Sequence, residues 1–478
     1  MLSQLLGAVV LLSATLGLGL TFTVLARRRL SLDPWTTAGL VPLLGIGAVG
    51  VVTLAAGHVF ALHWALPLAL GMAGIIGPVL MRTDLLPLVA EVRAGSRRVW
   101  REYWFLISLL GVGLILVLVA GLAPPVRTDE IEYHWPAPVA WADHGGWNES
   151  PYRHVNAFPF MEVVYTAAAL LDSYVAAHWL HSLTAIGLAL CAAGIAASLG
   201  SRWTMPVAAA AVVSPVVWIQ SFAAYNDVAG AAFSVAAVAV LVSGRYHRSS
   251  AILSCILLAT AISIKPTSIA ATGVVALVAL LSAWWRTPHH PPSVRHALRL
   301  WVPLAVTGLA TVGFWSVRQR LLTGLWLDPA MTATPDAYAR TMLPDAADRL
   351  VWPVLPFISG VVGSAEPWGG RTSLILQVLL IPALGYAVWR GRDTLRRFAL
   401  LAVPAYLHWM LLGVAIVRTR FHIVSWVLLV VAVALVVEAF VQERPRWRKA
   451  AHLLWAFLIL LGLVDVLRQT VEMIRTIP

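Results

Sequence analysis

The run LSQLLGAVVLLSATLGLGLTFTVLA, Leu2 to Ala26, is followed directly by Arg27-Arg28-Arg29. As a helix rising about 1.5 Å per residue, it is long enough to cross the ~30 Å hydrocarbon layer of a bilayer. No basic residue precedes it and the arginines lie behind it, the reverse of a secretory signal peptide. The reading is a retained membrane helix whose N-terminus faces outward and whose arginines face the cytoplasm.

Similar runs recur along the chain, at about 34–57, 59–81, 103–122, 175–199, 203–222, 226–243, 250–264, 267–285, 299–317, 372–389, 398–417, 421–441 and 450–467. With the first they make about 13–14 candidate spans. Hydrophobic residues are 60% of the chain and charged residues 12%, and mean hydropathy is +0.81. That composition excludes a soluble globular protein, and the continuous Leu, Ala and Val runs exclude an outer-membrane barrel, whose strands alternate. The expected fold is an all-α polytopic membrane protein, one transmembrane domain over residues 1–478. Cys191 and Cys255 both fall in apolar runs and form neither a disulfide framework nor a metal site. The net charge of +12 is that of loops facing anionic lipid, with no nucleic-acid partner implied.

The loops alternate in charge. Arg27–Arg29, the loop at 82–102, Arg202, the segments 244–248 and 286–299, RGRDTLRR at 390–397 and the segment 442–449 fall on one side. They hold about 22 of the 34 basic residues and about 7 of the 22 acidic ones, which marks the cytoplasm. Phe158 to Leu171 is apolar enough for half a span, but counting it as a crossing reverses the later basic loops. It is read as a partly embedded or interfacial helix. Two long insertions then lie outside, 123–174 and 318–371. In the second, Arg340, Arg349 and Arg371 are matched by Asp328, Asp336, Asp345, Asp348 and Glu366, the balance of a salt-bridged cap. Glu438 lies at a cytoplasmic helix end.

The outer side carries the polar chemistry. APPVRTDEIEYHWPAP, Ala123 to Pro138, sets Asp129, Glu130 and Glu132 a few residues beyond a span. Carboxylates at an incompletely hydrated surface can act as a general base or as ligands for a divalent ion, or can be an ordinary acidic loop. Trp135, Trp141 and Trp147 suit a helix lying in the headgroup layer. Lys265 and Pro266 follow a helix of only about sixteen residues, ~24 Å, so the lysine is expected below the outer surface. It either meets an anion, most simply a lipid phosphate, or snorkels. Tyr225-Asn226-Asp227 is a tight connection that serves as a turn and cap or as part of a site. Arg418 and Arg420 share a very short outer connection, against the orientation bias, which favours an anionic partner. Arg318 and Arg320 enter the second insertion. This one-faced gathering fits chemistry on a lipid-anchored phosphate better than transport, which needs polar groups at mid-membrane.

In order along the chain these motifs are DE-x-x-YH-x-P (129–136), FPFME (158–162), YND (225–227), KPT (265–267), WSVRQRLLTG (315–324) and RTRF (418–421). The series resembles the GT-C superfamily of integral-membrane glycosyltransferases, nearest to bacterial members akin to protein mannosyltransferases and the aminoarabinose transferases of lipid A. The resemblance implies a GT-C-type bundle with interfacial helices in the first outer loop. It implies a hexosyl- or pentosyltransferase of the inner (cytoplasmic) membrane, with its site on the periplasmic face. Such an enzyme passes a sugar from a polyprenyl-phosphate carrier to a glycan or lipid-linked acceptor, usually with inversion. Asp129 is then the general base with Glu130 assisting, and Lys265, Arg418, Arg420 and Arg318 meet the donor phosphate. Tyr133, His134, Glu162, Asn226 and Asp227 contact sugar or acceptor. The resemblance fixes no cofactor; Asp129, Glu130 and Asp227 are carboxylates that a divalent ion (Mg or Mn) could use. The chain ends on a span and a short tail, so acceptor recognition is expected from the outer loops and the second insertion is a candidate substrate cap. The rival readings are an O-antigen-type ligase or polymerase, and a flippase or transporter of lipid-linked glycans.

Overall fold

A computed structural model describes residues 1–151, 154–244, 247–286, 294–326, 373–413 and 419–475. Every regular element among them is helical. The N-terminal group comprises α1 (Leu2–Arg27), α2 (Pro34–Val59), α3 (Ala65–Leu80) and α4 (Arg82–Ala120). The first insertion folds as a short π-helical turn, Glu130–His134, then α5 (Pro136–His144), α6 (His154–Ala157) and α7 (Phe160–Ala169). The bundle continues with α8 (Tyr174–Ser198), α9 (Thr204–Val212), α10 (Pro215–Ser221), α11 (Asp227–Ser243), α12 (Arg248–Ile264), α13 (Ile269–Arg286) and α14 (Val294–Thr323). It closes with α15 (Leu374–Arg390), α16 (Arg392–Gly413), α17 (Ile423–Glu443) and α18 (Arg448–Arg475).

Among the described residues six helices are long and apolar enough to cross a membrane: Leu2–Arg27, Pro34–Val59, Val99–Ala120, Tyr174–Ser198, Arg420–Glu443 and Pro445–Arg468. A seventh is added if α3 and the start of α4, bent by 79°, count as one span. The chain is thus a multi-pass helical membrane protein. Large apolar side chains remain on its outside, among them Ile75, Val388, Leu411 and Leu453, which only a lipid environment accommodates at that density. At the centre lies α11, buried along all 17 residues, hydrophobic on every face as an interior helix must be. It packs on α8, α12, α13 and α17.

Three sequence expectations change. The segment 82–102 is helix rather than loop: it forms the charged first half of α4, which kinks at Tyr103 (φ −127°, ψ 25°) before its apolar half. Its acids pair with the arginines that end α1, Arg27 with Glu91 at 2.9 Å and Arg28 with Asp84 at 2.7 Å. The run 203–222 is two helices, because Pro215 forces Ser214 into an extended conformation (φ −58°, ψ 124°) and stops α9. Trp141 and Trp147 are packing residues rather than headgroup anchors. Trp141 is fully buried, their rings meet edge to face at 5.2 Å, and the Trp147 indole donates to the Leu54 carbonyl at 3.0 Å. The half-span over 158–171 is α7, ten residues or ~15 Å, too short to cross; it is buried in protein from Phe160 to Ala168.

The ends opposite the first insertion are tied by two acids. Asp33 caps α2, accepting from the Trp35 and Thr36 amides at 2.9 and 3.0 Å, and its second oxygen accepts from Ser243 of α11 and Ser198 of α8. Glu438 is buried and accepts from the Arg202 amide at 2.9 Å and from the Ser201 hydroxyl. It pins α17 to the α8–α9 connection.

Candidate functional site

Two backbone breaks build the site. Pro266 forces Lys265 out of the helix (φ −154°, ψ 124°), so α12 stops and a single turn, Pro266–Ser268, leads into α13. Asn226, also non-helical (φ −134°, ψ −11°), starts α11 with Asp227 in its first turn. These two ends meet, and the Lys265 ammonium donates to Asp227 Oδ1. The turn before α17 brings Arg420, whose Nη1 donates to Asp129 Oδ2 at 2.8 Å and whose Nε lies 3.9 Å from Asp227 Oδ2. Phe421 lies beneath both cations, its ring centroid 3.9 Å from Lys265 Nζ and 5.3 Å from Arg420 Cζ. The result is a series, Asp129–Arg420–Asp227–Lys265, with alternating charge. Asp227 is nearly sealed (3% exposed) while Asp129 is the most open member at 24%.

Asp227, Lys265 and Arg420 of this series line a cleft with Thr267, Ser268 and His408 of α16. The cleft is small, about 20 Å³, room for roughly one ordered water. In the low-dielectric interior these opposite charges offset one another, with Arg420 Nε left without a hydrogen-bond partner, and removing one member deprives its neighbour of a counter-charge.

A second group adjoins it. His134 Nδ1 and Glu162 Oε1 are 2.6 Å apart, and Asn226 Nδ2 donates to the same oxygen at 3.4 Å. Glu162 Oε2 is buried with no hydrogen-bond partner, a vacancy that buried carboxylates rarely tolerate. The Tyr133 and His134 rings are 4.2 Å apart. Burial and the nearby Asp129 carboxylate push the Tyr133 phenol above its ordinary pKa, so it remains a neutral donor.

Glu130 is held by a different set. Oε1 faces His178 Nε2 at 2.6 Å and accepts from the Ala224 amide at 2.7 Å, while Oε2 accepts from the Val126 amide at 3.3 Å. Burial raises its pKa, but the His178 contact and the backbone donors outweigh it and hold the carboxyl below its usual value. His178 Nδ1 lies 2.9 Å from the Gly121 carbonyl, so Glu130 locks the loop to both α8 and the end of α4. Arg318 does not line the cleft. It is buried on α14, donates to the Asn156 carbonyl at 3.1 Å, and keeps Nε and Nη2 without partners. Arg418 and residues 327–372, most of the second insertion, lie outside the described residues.

The sequence reading missed His178, His408 and Phe421. The two histidines were visible as ionisable residues inside apolar runs, YVAAHWLHS and LHWM, a pattern that marks function or a specific partner. As for a metal, among the described residues no three His, Cys, Asp or Glu side chains gather as ligands. Asp129 and Asp227 are engaged by cations and Glu130 by His178, so this set does not fit a divalent ion. No family model, characterised protein or solved structure matches the chain.

Proposed function

We propose that the protein is a GT-C-type glycosyltransferase of about 13–14 spans, moving a hexose or pentose from a polyprenyl-phosphate carrier to a glycan or lipid-linked acceptor at the outer face of the cytoplasmic membrane. The observation that carries this reading is the series Asp129–Arg420–Asp227–Lys265 at one end of the bundle. Two cations beside a partly open carboxylate are what transfer from such a donor requires.

Without donor, Asp129 occupies the place on Arg420 that the donor phosphate takes. Arrival of the phosphate at Arg420 and Lys265 releases Asp129, which then accepts the proton of the acceptor hydroxyl. The acceptor oxygen bonds to the anomeric carbon from the face opposite the leaving group, and the carbon–oxygen bond to phosphate breaks with its electron pair moving to the phosphate. The charge that grows there is met by Arg420 and Lys265. The unpartnered oxygen of Glu162, with His134, Asn226 and the neutral Tyr133, supplies acceptors and donors for sugar hydroxyls. No step is routed through a metal.

The test is donor affinity measured with a non-transferable polyprenyl-phosphate analogue. Lys265→Gln weakens it by about 1–3 kcal/mol, the scale of a hydrogen bond to a charged group. Equal affinity for wild type and Lys265→Gln overturns the phosphate role. With a transferable donor, release or transfer of sugar in detergent marks the enzyme, whereas movement of intact donor across liposomes without release marks a flippase.

A further inference from the structure

Along α12 and α14, away from the charged series, lies a second cavity. It is a groove of about 940 Å³ that runs from Arg248 and Arg299 past Cys255 and Pro303 to Ala259 and Thr307. Arg248 begins α12 whereas Lys265 ends it, so the two arginines mark the opposite end of the bundle from the site. From Arg248 to Ala259 is ~17 Å of helix, about half of the ~30 Å hydrocarbon layer, the depth of one leaflet.

The charges at its mouth are one-sided. Residues 228–327 contain no Asp or Glu at all, so neither α12 nor α14 can neutralise its own arginines. Arg248 and Arg299 are both exposed, and neither is in an ion pair among the described residues. Beyond them the lining is apolar except for Cys255 and Thr307.

We infer that this groove binds one anionic phospholipid of the leaflet at that end, with an acyl chain in the apolar channel and the phosphate on Arg248 and Arg299. A zwitterionic lipid brings an ammonium toward two guanidiniums and gains less. A polyprenyl carrier is longer than a channel of one-leaflet depth. The site is independent of the proposed transfer activity, since none of its residues belongs to that machinery.

Native mass spectrometry of the purified full chain, titrated with phosphatidylglycerol, phosphatidylcholine and polyprenyl monophosphate, tests this. Wild type retains phosphatidylglycerol about tenfold or more over phosphatidylcholine, the scale expected from two surface cations. Arg248→Gln/Arg299→Gln brings the two lipids level. These positions are exposed, so the variant folds, and an unchanged thermal midpoint verifies it. Ala259→Trp, which fills the inner end, reduces retention of phosphatidylglycerol without touching either arginine. Equal retention of both phospholipids by wild type overturns the inference, as does unchanged preference in the double variant or stronger retention of polyprenyl monophosphate.

Discussion

Asp129 and Glu130 are neighbours in the chain but have different surroundings, because the π-helical turn that begins at Glu130 points successive side chains at different parts of the bundle. Asp129 reaches Arg420 and stays partly open, while Glu130 is sealed under His178 and backbone donors. Asp129→Asn is expected to lower transfer by about 10²–10⁴, the usual cost of a lost general base, and to lower the thermal midpoint because Arg420 loses its 2.8 Å partner. Full activity in a folded Asn variant removes Asp129 from the mechanism. Glu130→Gln is expected to act on stability. Its folded pKa is depressed, so its contribution is fully present above the ordinary carboxylate value near 4.5 and is lost as pH falls through the lower folded value. Thermal melts from pH 7 to 3 therefore show a lower midpoint for Glu130→Gln at pH 7 and a smaller loss on acidification. Parallel curves for the two proteins contradict that assignment.

Helices α1, α2 and α3 are held by close approach rather than by interlocking bulk. A Cβ built on Gly45 of α2 would lie 1.8 Å from the Thr15 carbonyl oxygen of α1, and one on Gly17 of α1 would lie 1.8 Å from that of Gly74 in α3. Small residues allow such crossings, where packing between backbones replaces the hydrophobic drive that lipid removes. Gly45→Ala must push α1 and α2 apart and is expected to destabilise by about 1–3 kcal/mol, the range of overpacked sites. Gly385→Ala on α15, where nothing lies within 4 Å, is the matched control and leaves the midpoint unchanged or raised. Equal melting of the two variants shows that the α1–α2 crossing can relax. Helix length carries the same logic. The sequence shows that α12 is short before Lys265, and Pro266 gives the reason it ends there, whereas the break at Ser214–Pro215 interrupts a run that composition alone reads as one span.

For the whole molecule, orientation follows from the sided distribution of basic loops. In a Cys191→Ala, Cys255→Ala background, a cysteine placed at exposed Asp143 in the first insertion is expected to react with a membrane-impermeant maleimide in intact cells. One at exposed Arg392 reacts only after permeabilisation. Labelling at 392 from outside inverts the bundle and places the charged series on the cytoplasmic face, which ends the proposal of transfer at the outer surface.

Apolar runs and basic loops by themselves determined that this is an all-helical, multi-pass membrane protein, because bilayer thickness imposes a length and an exclusion of charge that a linear sequence displays directly. The same logic picked out Asp129, Asp227, Lys265 and Arg420 as charges out of place. Their pairing was decided only by tertiary structure. Asp129 and Arg420 are 291 positions apart, and nothing local to either specifies the other; Glu130 docks the turn carrying Asp129 on α8 and the Ala224 amide, and the packing of α17 on α8 and α11 brings Arg420 to it. His178 and His408 went unread for a related reason. A histidine in an apolar run marks a partner without naming it, and the partner appears only when the fold sets Glu130 beside one and the charged cleft beside the other.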